Sequence, residues 1–211
     1  MKNVRCENQP PFALLARPLL IVLSGPSGVG KDALLTKIKQ SDYPLEYITT
    51  VTTRGKRANE RDNEHYHFVS PGEFQEMIRN EGFLEWANVY GNWYGVPKQP
   101  VQRALKKGRD TIVKVDIQGA ATIKKLLPEV VSIILMPPSM EELVIRLNQR
   151  RTETPFDLAL RIKTAGGEVK QLALFDYMVV NREGEVDLAV SEIKAIITAE
   201  KCRVSPRKIT L

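Results

Sequence analysis

Leu19-Leu20-Ile21-Val22-Leu23-Ser24-Gly25-Pro26-Ser27-Gly28-Val29-Gly30-Lys31-Asp32 is the stretch that decides the fold. The apolar run reads as a buried strand, and the pattern from Ala33 onward reads as a helix. Between them, Gly25 to Lys31 spell Gly-x-x-x-x-Gly-Lys. In a strand–loop–helix setting, that spacing cradles the phosphates of a nucleotide. Glycines let successive backbone N–H groups point inward. The helix start adds partial positive charge, and Lys31 reaches the outer phosphates. The next position departs from the pattern. A Ser or Thr hydroxyl touches magnesium there, whereas this chain has Asp32 followed by Ala33.

Outward from the loop, apolar β-rich runs alternate with longer helical patterns. Strands are expected at 19–24, 46–51, 110–115, 130–135 and 176–180, and helices at about 31–40, 118–127, 139–150, 156–174 and 185–200. This alternation predicts an α/β fold, a P-loop NTPase-type parallel sheet with helices on both faces. Ser132-Ile133-Ile134-Leu135 fits a strand buried on both sides. Residues 54–96 break the rhythm with aromatics, turn residues, short strands and a short helix at 72–80. They read as an inserted α+β subdomain above the carboxyl edge of the sheet, where ligands bind in such folds. The polar segment 150–161 reads as a mobile lid, and Gly166-Gly167 as a break in the helix beyond it. Residues 1–17 read as an N-terminal arm and 202–211 as a solvated basic tail.

Composition narrows the function classes. The 211 residues fit one embellished domain, enough to bury roughly 70 % of the unfolded chain's surface. No apolar run approaches the roughly 20 residues of a membrane helix. The net charge of +6 admits a nucleic-acid partner. No basic stretch is interleaved with aromatics, however, as a strand-binding platform requires. The charge suits polyanionic nucleotides better. Two cysteines, Cys6 and Cys202, fit a reducing compartment. The arm holds Pro10 and Pro11 and no secretory core. It reads as a loose arm or a trimmed targeting remnant. The expected location is the cytoplasm, or an organellar stroma or matrix if the arm is such a remnant.

Three further segments carry chemistry. Thr50-Val51-Thr52-Thr53-Arg54-Gly55-Lys56-Arg57, followed by Tyr66, sets two arginines three apart at a strand exit. Their planar forks can close on one phosphate, with a phenol adding a hydrogen bond; the alternative is a solvated basic turn. Phe83-Leu84-Glu85-Trp86-Ala87, leading to Tyr90-Gly91-Asn92-Trp93-Tyr94-Gly95, sets a carboxylate among apolar neighbours. Such a group needs a donor. Guanine presents N1–H and N2–H₂ together; the alternative is an acid facing solvent. Val113-Lys114-Val115-Asp116-Ile117-Gln118-Gly119 ends an apolar strand in an acid. Asp116 there either meets substrate or metal, or caps the next helix.

Together with the phosphate loop, these segments resemble guanylate kinases from about residue 18 to 200, including Val179-Val180-Asn181 before the last helix. The Thr-Thr-Arg-x-x-Arg and Glu-Trp-Ala-x-x-x-Gly-Asn-x-Tyr-Gly runs carry the resemblance. It implies a domain over 18–201, with a core at 18–53, 97–149 and 162–201, a GMP-binding region at 54–96 and the lid at 150–161. It implies transfer of the ATP γ-phosphoryl to GMP, with Mg²⁺, by a monomer or homodimer that takes small nucleotides and binds neither nucleic acid nor membrane. Carried over by position, Arg54, Arg57, Tyr66 and Tyr94 hold the GMP phosphate, and Thr50, Glu85 and Asp116 read guanine. Gly25, Pro26, Ser27, Gly28, Val29, Gly30, Lys31 and Asp32 hold ATP, with Asn181 near the adenine. Lys31, Arg150 and Arg161 are the catalytic cations, the last two arriving with the lid. Asp32 is the candidate magnesium ligand, since a carboxylate is a hard oxygen donor.

Departures from the family pattern open alternatives. Val96 stands where a guanine-binding hydroxyl is usual, a loss of about 1 kcal/mol. Lys114 stands where an acid is usual, and supplies charge to a phosphate instead. Two other readings are a catalytically inactive phosphopeptide-binding relative and a ribose bisphosphate kinase. The first predicts a damaged phosphate loop, and Gly25, Gly28, Gly30 and Lys31 are intact. The second has no use for a guanine-reading segment.

Overall fold

The computed structural model describes residues 17–58, 60–148 and 169–211. The lid segment with Arg150 and Arg161, the Gly166-Gly167 break, the expected helix up to residue 168 and the arm before Arg17 lie outside the described residues.

Five parallel strands make the main sheet. Their spatial order is β2 (Glu46–Ile48), β7 (Thr111–Lys114), β1 (Leu20–Ser24), β8 (Val131–Met136) and β9 (Tyr177–Val180). Register is set at the centre, where Ile21 lies between Ile112 and Val131. Apolarity along β1 has a simple cause, since both faces are covered. Leu19, Ile21 and Leu23 pack with Leu34 and Ile38 of α1 (Lys31–Gln40) and with Ile193 and Ile197 of α6 (Val186–Lys201). Leu20 and Val22 face the other way, toward Val101 of α3 (Lys98–Lys106) and Ile123 of α4 (Ile117–Leu126). Each such Leu or Ile contributes roughly 2 kcal/mol by leaving water. Among the described residues, no helix is long and apolar enough to cross a membrane.

A second sheet stands at the carboxyl edge of the first. Its order is β4 (His67–Phe68), β3 (Val51–Thr52), β6 (Asn92–Pro97) and β5 (Phe83–Val89). β5 and β6 form an antiparallel hairpin, irregular between Phe83 and Glu85. Before it comes α2 (Pro71–Arg79), whose start is fixed locally. Ser70 Oγ accepts from the Glu73 amide, the Glu73 carboxylate accepts from the Ser70 amide, and Pro71 takes the first helical position. Met140–Asn148 forms α5, and Val169–Leu174 a 3₁₀ turn where the tail of a long helix was expected.

Three local expectations are corrected. The run 46–51 is two strands in two sheets, with the chain crossing between them at Thr49 and Thr50. Thr50 pins the crossing: its hydroxyl donates to the Lys114 carbonyl at 2.9 Å, and its carbonyl accepts from the His67 amide at 2.9 Å. Helix α3 was not foreseen, because Pro97 and Pro100 flank its start. Pro100 sits in the first turn, where no intrahelical N–H is required.

The basic tail is docked rather than solvated. Arg207 Nε and Nη2 donate to the two Glu200 carboxylate oxygens at 2.8 Å each, and Nη1 donates to the Val130 carbonyl at 3.1 Å. Tyr177 donates to the same carboxylate at 2.7 Å. The Arg207 hydrogen bonds hold the Glu200 carboxyl below the usual range, against the effect of burial. Ile209 and Leu211 pack on the α3–α4 side of the core. Arg207→Ala leaves a buried carboxylate short of its main partner, and should cost about 3 kcal/mol in chemical denaturation. The double change Arg207→Met with Glu200→Leu should recover most of that loss. An unchanged midpoint in Arg207→Ala would show the tail to be dispensable.

Candidate active site

Parallel strands deliver their carboxyl ends to one edge, and the chemistry gathers there. A cavity of about 390 Å³ opens between the two sheets. Gly25 to Asp32 form one wall. Thr50, Arg54, Arg57, Tyr66, Glu85, Tyr94 and Asp116 line the rest, so the phosphate loop and the residues singled out for the acceptor share one space. Lys114, Gln118 and the Asn88-Val89-Tyr90 turn also line it.

The phosphate loop is braced from behind. Lys31 Nζ donates to the Gly25 carbonyl, and to the Pro26 carbonyl at 3.2 Å. Gly30 has φ +98°, and a Cβ there would stand 2.5 Å from Asn181 Nδ2. Only glycine fits. Asn181 is buried behind the loop, not on the cavity wall, and its Nδ2 donates to the Val29 carbonyl at 2.7 Å. Arg146 in turn donates to the Asn181 carbonyl at 2.9 Å and is paired with Glu142. Arg146 escaped sequence reasoning because it looks like any surface helix cation. Its role is visible only across 117 residues of chain, where Nη1 donates to the Val29 carbonyl at 3.4 Å.

On the opposite wall, Arg54 leaves β3 with its fork already oriented. Nε donates to the Tyr94 hydroxyl at 3.2 Å, and Nη2 to Glu60 Oε1 at 2.6 Å. The other Glu60 oxygen accepts from the Arg57 amide at 2.8 Å. Burial raises the Glu60 pKa, but the Arg54 and Arg57 hydrogen bonds outweigh it and hold the group low. Tyr66 lies edge-on to Tyr94, with ring centroids 5.9 Å apart. Glu60 was missed; its signal was an acid three residues after Arg57 in an arginine-rich loop.

Glu85 is 5 % exposed on β5, and its carboxylate has no hydrogen-bond partner among the described residues. Desolvation first, and the Asp116 charge second, push its pKa up to about 8. Gly119 makes the approach possible, since a Cβ there would meet Glu85 Oε1 at 2.6 Å. Asp116 caps the next helix, as one of its two readings has it. It lines the cavity, and its Oδ1 accepts from the Gly119 amide at 3.0 Å to cap α4. Val96 is buried and packs with the apolar cluster rather than the cavity wall.

Asp32, in the first turn of α1, is ion-paired with Lys114 of β7. Lys114 Nζ lies 3.8 Å from the centroid of the Tyr66 ring. Burial opposes its charge, but Tyr66 and Asp32 prevail and hold its pKa above the usual lysine value.

Comparison with known proteins agrees with this architecture. Residues 17–200 match the family described as Guanylate kinase. Guanylate kinase 2, chloroplastic/mitochondrial, of Oryza sativa subsp. japonica is 43% identical over 202 residues, 95% of this chain and 71% of its own. The guanylate kinase of Caldanaerobacter subterraneus subsp. tengcongensis is 44% identical over 190 residues, 90% of this chain and 91% of its own. Among solved structures, guanylate kinase from Anaplasma phagocytophilum superposes with a TM-score of 0.73 at 32% identity, covering 90% of this chain and 89% of that one. With a family match running from the first strand to the last helix, the chain belongs to the guanylate kinase family.

Proposed function

We infer that this chain is a nucleoside monophosphate kinase of purine nucleotide metabolism, transferring the γ-phosphoryl group of ATP to GMP to give ADP and GDP. One observation carries the reading: a phosphate loop faces the buried Glu85 carboxylate, Asp116 and an oriented arginine fork across one cavity. Family membership supports the same conclusion. An inactive binding module is not favoured, since the loop glycines and Lys31 are intact and braced.

In this reading the amides of the loop and Lys31 hold the ATP phosphates. Arg54, Arg57, Tyr66 and Tyr94 hold the phosphate of GMP, while Glu85 and Asp116 accept from guanine N1–H and N2–H₂, with Thr50 beside them. The γ-phosphorus breaks its bond to the bridging oxygen, whose electron pair stays with ADP, as a GMP phosphate oxygen forms the new bond. No general base is required, because the acceptor is already an anion. Catalysis is then positioning and charge neutralisation. Arg150 and Arg161 are proposed to add charge from the lid, closing as a hinge. Magnesium arrives on ATP as part of the substrate. Among the described residues no three acidic, His or Cys groups form a metal cluster. The donor chemistry therefore fits an ion held mainly by phosphates and waters, with Asp32 contributing directly or through water. The reading places the chain in the cytoplasm, or in an organelle of the kind named for the rice relative.

ADP release measured with GMP, AMP, dGMP and ribose 1,5-bisphosphate as acceptors, with and without Mg²⁺, tests the activity. GMP should be used, AMP and ribose 1,5-bisphosphate should not, and silence with every acceptor would overturn the kinase reading. Lys31→Ala should lower kcat at least tenfold, or about 1.4 kcal/mol of barrier, with the fold retained; a smaller drop would remove Lys31 from the donor site.

Glu85 supplies a pH prediction. With its pKa near 8 it is mostly neutral at pH 7, and guanine recruits the ionised form. Calorimetry at pH 7 in buffers of different ionisation enthalpy should show about one proton released per GMP bound, and affinity should rise from pH 6 to 8. In Glu85→Gln the proton release should largely vanish, leaving the pH dependence of the GMP phosphate, whose second pKa is about 6. Equal heats in all buffers for the unaltered protein would contradict the assignment.

A further inference from the structure

We propose that Lys114 is a catalytic residue whose ammonium group spans the two nucleotides, donating hydrogen bonds to phosphate oxygens at the point of transfer, and that Asp32 is the positioning residue that holds it there between turnovers. The proposal rests on the kinase reading above and adds a residue to it.

Topology puts Lys114 in the middle. In the order β2-β7-β1, its strand lies between the one feeding the phosphate loop and the one feeding Thr50 and Arg54. Its Cα pairs with Leu23, two residues before Gly25. Its carbonyl accepts from Thr50 on the acceptor side. The side chain repeats the pattern at atomic scale. Nζ is paired with Asp32 from the donor wall, and lies over Tyr66 from the acceptor wall. Lys31 donates to the loop carbonyls of Gly25 and Pro26, and Arg54 is engaged by Tyr94, Gly55 and Glu60.

Placing a cation at this strand end is expensive. Lys114 is 8 % exposed, and an apolar residue would fill a sheet terminus at lower cost than a desolvated ammonium. The pair is not sealed, because the Asp32 side chain is 49 % exposed. Phosphate oxygens entering the cavity can therefore replace the carboxylate as the partner of Nζ. An ammonium group on a flexible stem can follow phosphorus from one side to the other with its three donors. During transfer, negative charge spreads over the equatorial oxygens of the moving group. Lys114 donates an N–H to one of them and keeps its proton throughout.

The test uses a ligand with two heads, adenosine and guanosine joined 5′ to 5′ through five phosphates, beside GMP and ADP alone. In Lys114→Met, affinity for the two-headed ligand should fall at least tenfold, while GMP and ADP each change less than threefold. The kcat should fall at least 100-fold, with both KM values within threefold. Lys114→Arg should restore two-headed affinity to within threefold, and Asp32→Asn should lower kcat by about fivefold without affecting GMP binding. A merely structural lysine would weaken all three ligands alike; that result, or unchanged two-headed affinity, overturns the proposal. If Lys114→Met does not fold, Lys114→Gln is read the same way. Should the unaltered protein bind the two-headed ligand but transfer nothing to GMP, the kinase reading falls, and the binding comparison alone decides the role of Lys114.

Discussion

Parallel pairing of β1 with both β7 and β8 is the constraint on which this molecule depends. It turns the strand ends one way, so that the phosphate loop, Lys114 and Asp116 emerge at a single edge. It also requires helices on both faces, which is why β1 is apolar from Leu20 to Leu23. The loop could not keep its left-handed glycines without that platform. Its backbone is held from beneath by Asn181, and Asn181 is held by Arg146, so a cradle of amides stands on a chain of buried hydrogen bonds.

Charge in the cavity is arranged in couples. Arg54 has Glu60, Lys114 has Asp32, and Glu85 has no cationic partner among the described residues and is pushed toward neutrality by its own burial and by Asp116. The result is a site dense in ionisable groups in which Arg54 and Lys114 each stand beside a carboxylate. In the proposed reading, anionic substrates exchange places with these carboxylates, and the arginine fork is already oriented by Glu60.

The alternation of strands and helices and the phosphate loop were legible in the sequence because each is local: a run of apolar residues, a spacing of glycines. What escaped is non-local. Residues 46–51 have one continuous β-like character, and only the bonds of Thr50 to Lys114 and His67 show that the run serves two sheets. The tail looked like a basic terminus because the partner of Arg207 is a glutamate on the preceding helix, buried by the fold itself. Glu85 and Asp116 were recognisable as candidates, but the bare Cα of Gly119 that lets them approach was not. Asp32 and Lys114 each stood out as oddities. That they are two halves of one contact, 82 residues apart in the chain, is a fact of the sheet order.

The brief passage of the chain between its two sheets has a mechanical meaning. The second sheet joins the first through Thr49 and Thr50 on one side, and through the direct step from Pro97 into α3 on the other. Neither joint has slack. Two short tethers limit how far the second sheet can slide along or lift from the first. The upper sheet is thus seated on the main one, with Leu84 and Val96 buried against the α3–α4 face. The spacing between the two walls of the cavity is therefore set by the length of the joints before any nucleotide enters.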